Sequence, residues 1–314
     1  MHFRPLGKTG IRVPELALGT WGLSGDGYGP VDEATQQKVI ERALEMGFLL
    51  IDTADAYGGG KMEQLLGRIL SDRRDVVVVT KGGTDRTTSP PRKRFDGPYV
   101  RQAVERSLRR LARRRVDVYL LHNPSVAALE GGDAVDTLTA LKAEGKIGHW
   151  GVSVGDVETG RAAVRCGAEV LELAYNLMQA SDLHRIAGEL VVAGVGVLAH
   201  STLAYGLLAG TWTSDREFPA GDHRADRWTK LELERRVQQL QSLRFLVHGD
   251  VATLRAAAVR FVLCNRIVSC AVLGPRTVGQ LEDLVREVGM GPIYLRDEEL
   301  MRIPRALEAM GVEP

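Results

Sequence analysis

The chain has 314 residues, 44% hydrophobic and 26% charged, and its 41 basic against 40 acidic residues leave a formal charge of +1. That composition suits a folded globular chain and excludes disorder and collagen-like repeats. The near-zero charge argues against a polyanion binder held by bulk charge. The length exceeds the roughly 100–200 residues of an ordinary domain, yet an α/β barrel fills it as one unit.

Taken in chain order, short apolar runs alternate with amphipathic segments. Phe3 to Glu15 places Gly7-Lys8-Thr9-Gly10 between two extended pieces and predicts a hairpin that plugs a barrel bottom. Strand-like runs follow at Leu16–Leu18, Phe48–Ile51, Val76–Thr80, Val116–Leu121, Gly148–Val152, Val170–Ala174, Gly196–Ala199 and Val268–Leu273. They are apolar at successive positions, as parallel strands covered on both faces are. Between them, Asp32 is the expected cap of a helix whose apolar face is Val39, Ile40, Ala43 and Leu44 and whose stop is Gly47. Further helices are expected at Lys61–Leu70, from Pro98 through Val104, Leu108 and Leu111, and at Asp133–Glu144 and Val157–Cys166. The last ones fall at Ser181–Ala193, Ala252–Leu263 and Val278–Val288. Eight strand–helix units predict a (β/α)8 TIM barrel forming one domain over residues 1–314. Two α/β domains are the second choice, weakened by the lack of a linker. Thr211 to about Asp250 is a long excursion beyond the seventh strand, with an amphipathic helix from about Lys230, and Asp297 to Gly311 predicts a closing helix.

Cys166, Cys264 and Cys270 form no C-x-x-C pair and read as buried thiols in a reducing compartment. Neither a signal-peptide core nor an apolar run of about 20 residues occurs, so a cytoplasmic protein without membrane attachment is expected. No H-E-x-x-H or other metal-ligand spacing is present, and no metal is expected. Gly7-Lys8-Thr9-Gly10 lacks the upstream glycine of a phosphate-binding loop. The arginines at 106, 109, 110, 113, 114 and 115 read as a solvated helix face rather than a nucleic-acid surface, since no aromatic residue interleaves them.

Barrel enzymes carry their chemistry at the C-terminal ends of the strands. The second run ends in Asp52-Thr53-Ala54-Asp55-Ala56-Tyr57, the third in Lys81 and the fourth in His122-Asn123. A free phenol has a pKa near ~10, and a neighbouring ammonium lowers it. Lys81 can serve Tyr57 in this way, Asp52 can orient the lysine, and a neutral His122 can donate a hydrogen bond to a substrate carbonyl. The set suits protonation of an oxygen on which charge develops during hydride addition.

The run Ile51-Asp52-Thr53-Ala54-Asp55-Ala56-Tyr57-Gly58 resembles the signature of the aldo-keto reductase superfamily. Leu18-Gly19-Thr20-Trp21, Leu120-Leu121-His122, Gly151-Val152-Ser153 and Tyr175-Asn176-Leu177 resemble further family segments in family order. So do Ser201-x-Leu203-x-x-Gly206-Leu207-Leu208-x-Gly210 and Leu273-Gly274-Pro275-Arg276-Thr277. The resemblance implies an NADPH-dependent carbonyl reductase, with NADH as the other possible cofactor, acting on a small aldehyde or ketone. It implies Asp52, Tyr57, Lys81 and His122 as the catalytic tetrad, with Tyr57 as the general acid. It implies cofactor contacts at Thr20 and Trp21 and at Ser153, Glu172, His200 and Ser201. Leu203, Gly206, Leu208 and Gly210 complete the seventh-strand segment, and Gly274, Arg276, Gln280 and Asp283 the last one. Arg276 takes the 2′-phosphate, a task suited to a guanidinium. Three positions depart from the family pattern: Val154 and Leu284 stand where asparagines are usual, and Glu172 where glutamine is.

Two other readings use the same residues. An NADPH-binding sensor or accessory subunit with little turnover would tolerate the three departures but has no need of the tetrad. A Schiff-base lyase would use Lys81 as nucleophile, which a neighbouring Asp52 opposes by keeping it protonated. Trp21, Tyr28 and the loop after residue 210 are the expected pocket walls; the sequence leaves substrate and oligomeric state open.

Overall fold

Eight parallel strands close on themselves in this computed structural model, which describes residues 1–288, 291 and 294–312. The barrel is β3 (Leu16–Gly19), β4 (Leu50–Asp52), β5 (Val77–Gly82), β8 (Val116–His122), β9 (Ile147–Ser153), β10 (Val170–Ala174), β11 (Gly196–His200) and β12 (Val268–Leu273). β12 pairs back onto β3, so no strand edge is left open. The hairpin β1 (Phe3–Pro5) and β2 (Arg12–Pro14) lies at the N-terminal end of the barrel. It sends Leu6 and Val13, both fully buried, into a core with Ala17, Leu50, Val79, Val118, Val170 and Leu198. Arg4 holds the plug in place, donating to the carbonyls of Leu263 at 2.7 Å and Val268 at 3.0 Å. Both the barrel and the plug agree with the sequence reading.

The helices wrap the outside: α1 (Glu33–Glu45), α2 (Lys61–Ile69), α3 (Gly97–Arg110), α4 (Val126–Glu130), α5 (Asp133–Ala143), α6 (Val157–Arg165), α7 (Ser181–Ala193), α8 (Lys230–Gln241), α9 (Leu254–Cys264), α10 (Val278–Val288) and α11 (Asp297–Glu308). Asp32 caps α1 as expected, accepting from the Thr35 amide at 2.9 Å. Thr229 caps α8 through a reciprocal capping box with Glu232. Neither α4 nor the two-stranded ribbon β6 (Thr84–Asp85) and β7 (Arg92–Lys93) was expected; both are too short to carry a periodicity. No described helix is long and apolar enough to cross a membrane.

Two sequence expectations need correction. Cys270 is buried, but Cys166 and Cys264 are only half-buried, because they lie at the C-terminal ends of α6 and α9. The arginine cluster is not one solvated face. Arg113 is buried and donates to the carbonyls of Val76 and Arg73 and to Asp117, while Arg110 pairs with the buried Glu63 at 3.1 Å. Arg106 lies over the Tyr99 ring; only Arg109, Arg114 and Arg115 face solvent. Long arginine stems cover apolar surface between helix and barrel, so their heads reach backbone that a shorter cation would miss.

Candidate active site

Strand periodicity builds the site. Alternate residues of a barrel strand point inward, so the apolar interior layer of Leu50, Val79, Leu120, Val170 and Leu198 is followed two residues on by Asp52, Lys81, His122, Glu172 and His200. His122 is registered against Ser153, and Ser153 against Glu172, so three neighbouring strands present polar groups at one height. β8, β9 and β11 each run one residue past the apolar stretch seen in the sequence, because the residues that end them are polar yet inward-facing, and β5 runs through Lys81 to Gly82. Tyr57 arrives differently. It follows β4 and is succeeded by Gly58, Gly59 and Gly60, all at positive φ, which turn the chain into α2. Asn123 and Ser201, directly after His122 and His200, also take positive φ, so backbone strain is concentrated on this rim.

Lys81 is the hub. Its ammonium is hydrogen-bonded to Asp52 and lies 3.1 Å from each carboxylate oxygen of Glu172. All three side chains are at most 5% exposed. The ammonium is 5.7 Å from the centroid of the Tyr57 ring, and the His122 ring meets that ring edge-on at 6.2 Å and 85°. Burial raises the Tyr57 phenol above its ordinary value; Lys81 opposes this, while Asp52 and Glu172 add to it. Burial and Glu172 push Asp52 up to about 7 against the pull of Lys81. The Lys81 ammonium is held well above its ordinary value, burial being outweighed by the two carboxylates. His122 is driven down to about 3, first by burial and then by Lys81 and Lys93, so its ring is neutral at physiological pH. Its Nδ1 is buried without a partner among the described residues.

These groups form one wall of a cavity of about 1220 Å³ that extends over the rim to the start of α10. Trp21, Ser153, Glu172, His200, Ser201, Leu203, Gly206, Gly274, Arg276 and Gln280 line it, together with the tetrad candidates Asp52, Tyr57, Lys81 and His122. His200 Nδ1 sits 2.8 Å from Ser201 Oγ, and Asn176 donates to the Ser201 carbonyl at 3.0 Å, which fixes that turn. The Arg276 guanidinium bonds the carbonyls of Gly29 and Pro30 at 2.9 and 3.3 Å, and Gln280 accepts from the Arg276 amide at 2.8 Å. Neither carbonyl neutralises the guanidinium charge, and its Nε is buried without a partner among the described residues.

Four expected cofactor positions lie off the cavity wall. Thr20 is fully buried and spends its hydroxyl on the Asp52 carbonyl at 3.0 Å. Leu208 is core, and Gly210 ends a short turn at positive φ against Leu254. Asp283 is drawn away by Arg255 and Arg286. The sequence reading also missed cavity residues. Tyr205 and Asp26 line it unannounced, whereas Arg224 and Arg227 line it from the loop after residue 210 that was expected to wall the pocket, and His223 joins Trp21, Tyr28 and Tyr205 in a ring cluster with centroids 4.9 to 6.4 Å apart. The excursion after β11 reaches the loop after β3 through a Tyr28–Asp222 bridge and the His223 amide on the Gly27 carbonyl at 2.8 Å. No local pattern announces a contact between loops two hundred residues apart.

The chain is similar to known proteins over nearly its whole length. It is 29% identical to the aldo-keto reductase YhdN of Bacillus subtilis over 302 residues, covering 92% of this chain and 89% of that protein. Among solved structures, a glycerol dehydrogenase of Gluconobacter oxydans superposes with a TM-score of 0.85 at 27% identity, covering 99% of this chain and 97% of that one. The holo form of an aldo-keto reductase of Bacillus halodurans superposes with a TM-score of 0.81 at 24% identity, over 98% and 96% of the two chains, a likeness of fold. The aldo/keto reductase family model matches residues 15–306, and the chain therefore belongs to the aldo/keto reductase family and is an oxidoreductase.

Proposed function

We propose that the protein, as one barrel domain, reduces the carbonyl of a small aldehyde or ketone to an alcohol, with NADPH as the reductant and Tyr57 as the proton donor. The observation that carries this reading is the buried Lys81 ammonium 5.7 Å from the Tyr57 ring, with a neutral His122 ring on its edge.

The cavity residues suit a dinucleotide. The orphaned Nε of Arg276 and its unneutralised charge fit a phosphate at one end, and glycines at 206 and 274 leave backbone open to a close approach along the groove. Ser153 and Glu172 would hold the carboxamide, His200 would face the nicotinamide ring, and Arg276 with Gln280 would hold the 2′-phosphate. When bound, a reduced nicotinamide would supply hydride to the carbonyl carbon, with negative charge developing on the carbonyl oxygen. Tyr57 gives its phenolic proton to that oxygen, and Lys81 stabilises the phenolate left behind. Neutral His122 donates a hydrogen bond to the same oxygen, and its low basicity keeps the imidazole from taking the proton itself. Asp52 keeps Lys81 charged and aimed.

The test is carbonyl-dependent loss of NADPH absorbance over a panel of aldehydes and ketones that includes glyceraldehyde. Tyr57→Phe should lower kcat by at least ~100-fold, the usual worth of a positioned acid. Equal rates for the two proteins would remove Tyr57 from the role. Tight NADPH binding without turnover of any panel member would favour a cofactor-binding sensor.

A further inference from the structure

Lys81 has two counter-ions. Asp52 comes from β4, next to the strand that carries the lysine, and Glu172 from β10, across the barrel mouth. Each is within ion-pair distance of the same ammonium, and both side chains are at most 5% exposed. An amide at position 172 would leave Lys81 paired once and the local charge balanced. The carboxylate makes the buried cluster of Asp52, Glu172 and Lys81 an anion whenever both acids are ionised.

We propose that Glu172 is a positioning residue that competes with Tyr57 for the Lys81 ammonium, so that Tyr57 is held as the neutral phenol, the form that can donate a proton, and its ionisation is displaced to higher pH. The inference rests on the reading of Tyr57 as the proton donor. A phenolate is the base that alcohol oxidation requires. Glu172 opposes it twice, by repelling the negative oxygen directly and by drawing away the cation that stabilises it. Proton donation needs only the neutral phenol, which the same charge favours.

The groups that face this cluster are few. Asp52 and Tyr57 come from β4 and its loop, Lys81 from β5, His122 from β8, Glu172 from β10 and His200 from β11. β9 contributes Ser153, β3 leads into Trp21, and β12 presents Val272. Both histidines are held below their ordinary value by burial, so neither supplies a compensating charge at neutral pH. The acid–base balance therefore lies among one lysine, two carboxylates and one phenol.

The experiment compares the wild type with Glu172→Gln and Glu172→Asp. Below the phenol's own pKa the rate of alcohol oxidation is proportional to the phenolate fraction, so it rises about tenfold for each pH unit by which that pKa falls. Glu172→Gln should raise kcat for alcohol oxidation at saturating substrates about tenfold at a fixed pH of about 8. It should also move the rising limb of the oxidation profile to lower pH, and Glu172→Asp should return both towards the wild type. A purely structural role would depress both directions together and leave the profile in place.

A second readout needs neither turnover nor cofactor: the ring carbon resonance of Tyr57 in tyrosine-labelled protein, assigned by its loss in Tyr57→Phe. At a fixed alkaline pH the ionised fraction of Tyr57 should be about tenfold higher in Glu172→Gln than in the wild type. An unchanged Tyr57 resonance overturns the inference whether or not the protein reduces carbonyls. Absence of carbonyl-dependent NADPH loss, with that resonance shifted as expected, counts against the proposed reaction alone.

Discussion

Replacing Lys81 with methionine removes the cation from the centre of the site and leaves Asp52 and Glu172 facing each other, both side chains at most 5% exposed. Two carboxylates in a desolvated site cannot both stay ionised cheaply, and breaking a buried ion pair from one side costs about 3–5 kcal/mol. The direction with pH follows from the shift already present. Asp52 is raised from 3.8 to about 7 even with Lys81 beside it. A carboxyl raised above its unfolded value binds more protons in the folded state. It therefore subtracts stability progressively as pH climbs from about 4 through about 7, and further without the ammonium. The variant should lose about 3–5 kcal/mol at pH 8 and less than half of that at pH 5, read from urea denaturation at both values with the slope checked for constancy. Adding Glu172→Gln to Lys81→Met should recover a large part of the loss at pH 8 and little at pH 5. A deficit of equal size at the two pH values, or a double variant no more stable than the single one at pH 8, would refute the reasoning.

Asp55 is a separate buried acid, outside the tetrad, whose Oδ1 has no partner among the described residues and whose carboxyl is pushed up to about 7 by burial and by Glu63. By the same sign, Asp55→Asn should stabilise the protein by about 1–3 kcal/mol at pH 8 and change nothing near pH 4.5; a lower melting temperature at pH 8 would reveal a favourable partner for the carboxylate. On the NADPH reading, Arg276→Ala should raise the Kd of NADPH about ten- to a hundredfold, the worth of a charge-assisted hydrogen bond, and leave NADH nearly unchanged. Equal weakening of both cofactors would place the phosphate elsewhere. Arg113→Ala should cost about 2–4 kcal/mol in denaturation, because it strips two backbone carbonyls and Asp117 of a buried donor. A cost within about 0.5 kcal/mol would return Arg113 to the exposed class.

The barrel was legible because its strands are short apolar blocks whose spacing repeats, and because the plug and the helix caps rest on local chemistry at Gly7, Asp32 and Gly47. The inner polar layer was legible for the same reason: a strand that ends in Lys81 or His122 has its last residue at the mouth. What escaped depends on contacts remote in sequence. Nothing around Arg113 distinguishes it from Arg114, yet one lies under a strand end and the other in solvent. Nothing around Asp283 shows that Arg255 and Arg286 hold it. The loop carrying Tyr205, His223 and Arg224 has aromatic and basic residues in plenty, but their meeting with Trp21 and Tyr28 requires the barrel to have closed first.

On the NADPH reading, the three departures named from the sequence together redistribute cofactor binding. Val154 and Leu284 are about 5% exposed, belong to the hydrophobic core and line the cavity, so they offer apolar contact where a hydrogen-bonding amide is usual. On the NADPH reading, Ser153 and Glu172 face the carboxamide, and a carboxylate accepts hydrogen bonds but donates none. On the same reading Arg276 and Gln280 face the 2′-phosphate, the glutamine side-chain oxygen being already committed to the Arg276 amide. With apolar contacts at 154 and 284, attachment on this reading is more sensitive to each polar side chain that holds the cofactor. The cofactor penalty of Arg276→Ala should therefore exceed that of the matching substitution in a relative that keeps both asparagines. Equal penalties would mean that the apolar contacts of Val154 and Leu284 replace the lost amides in full.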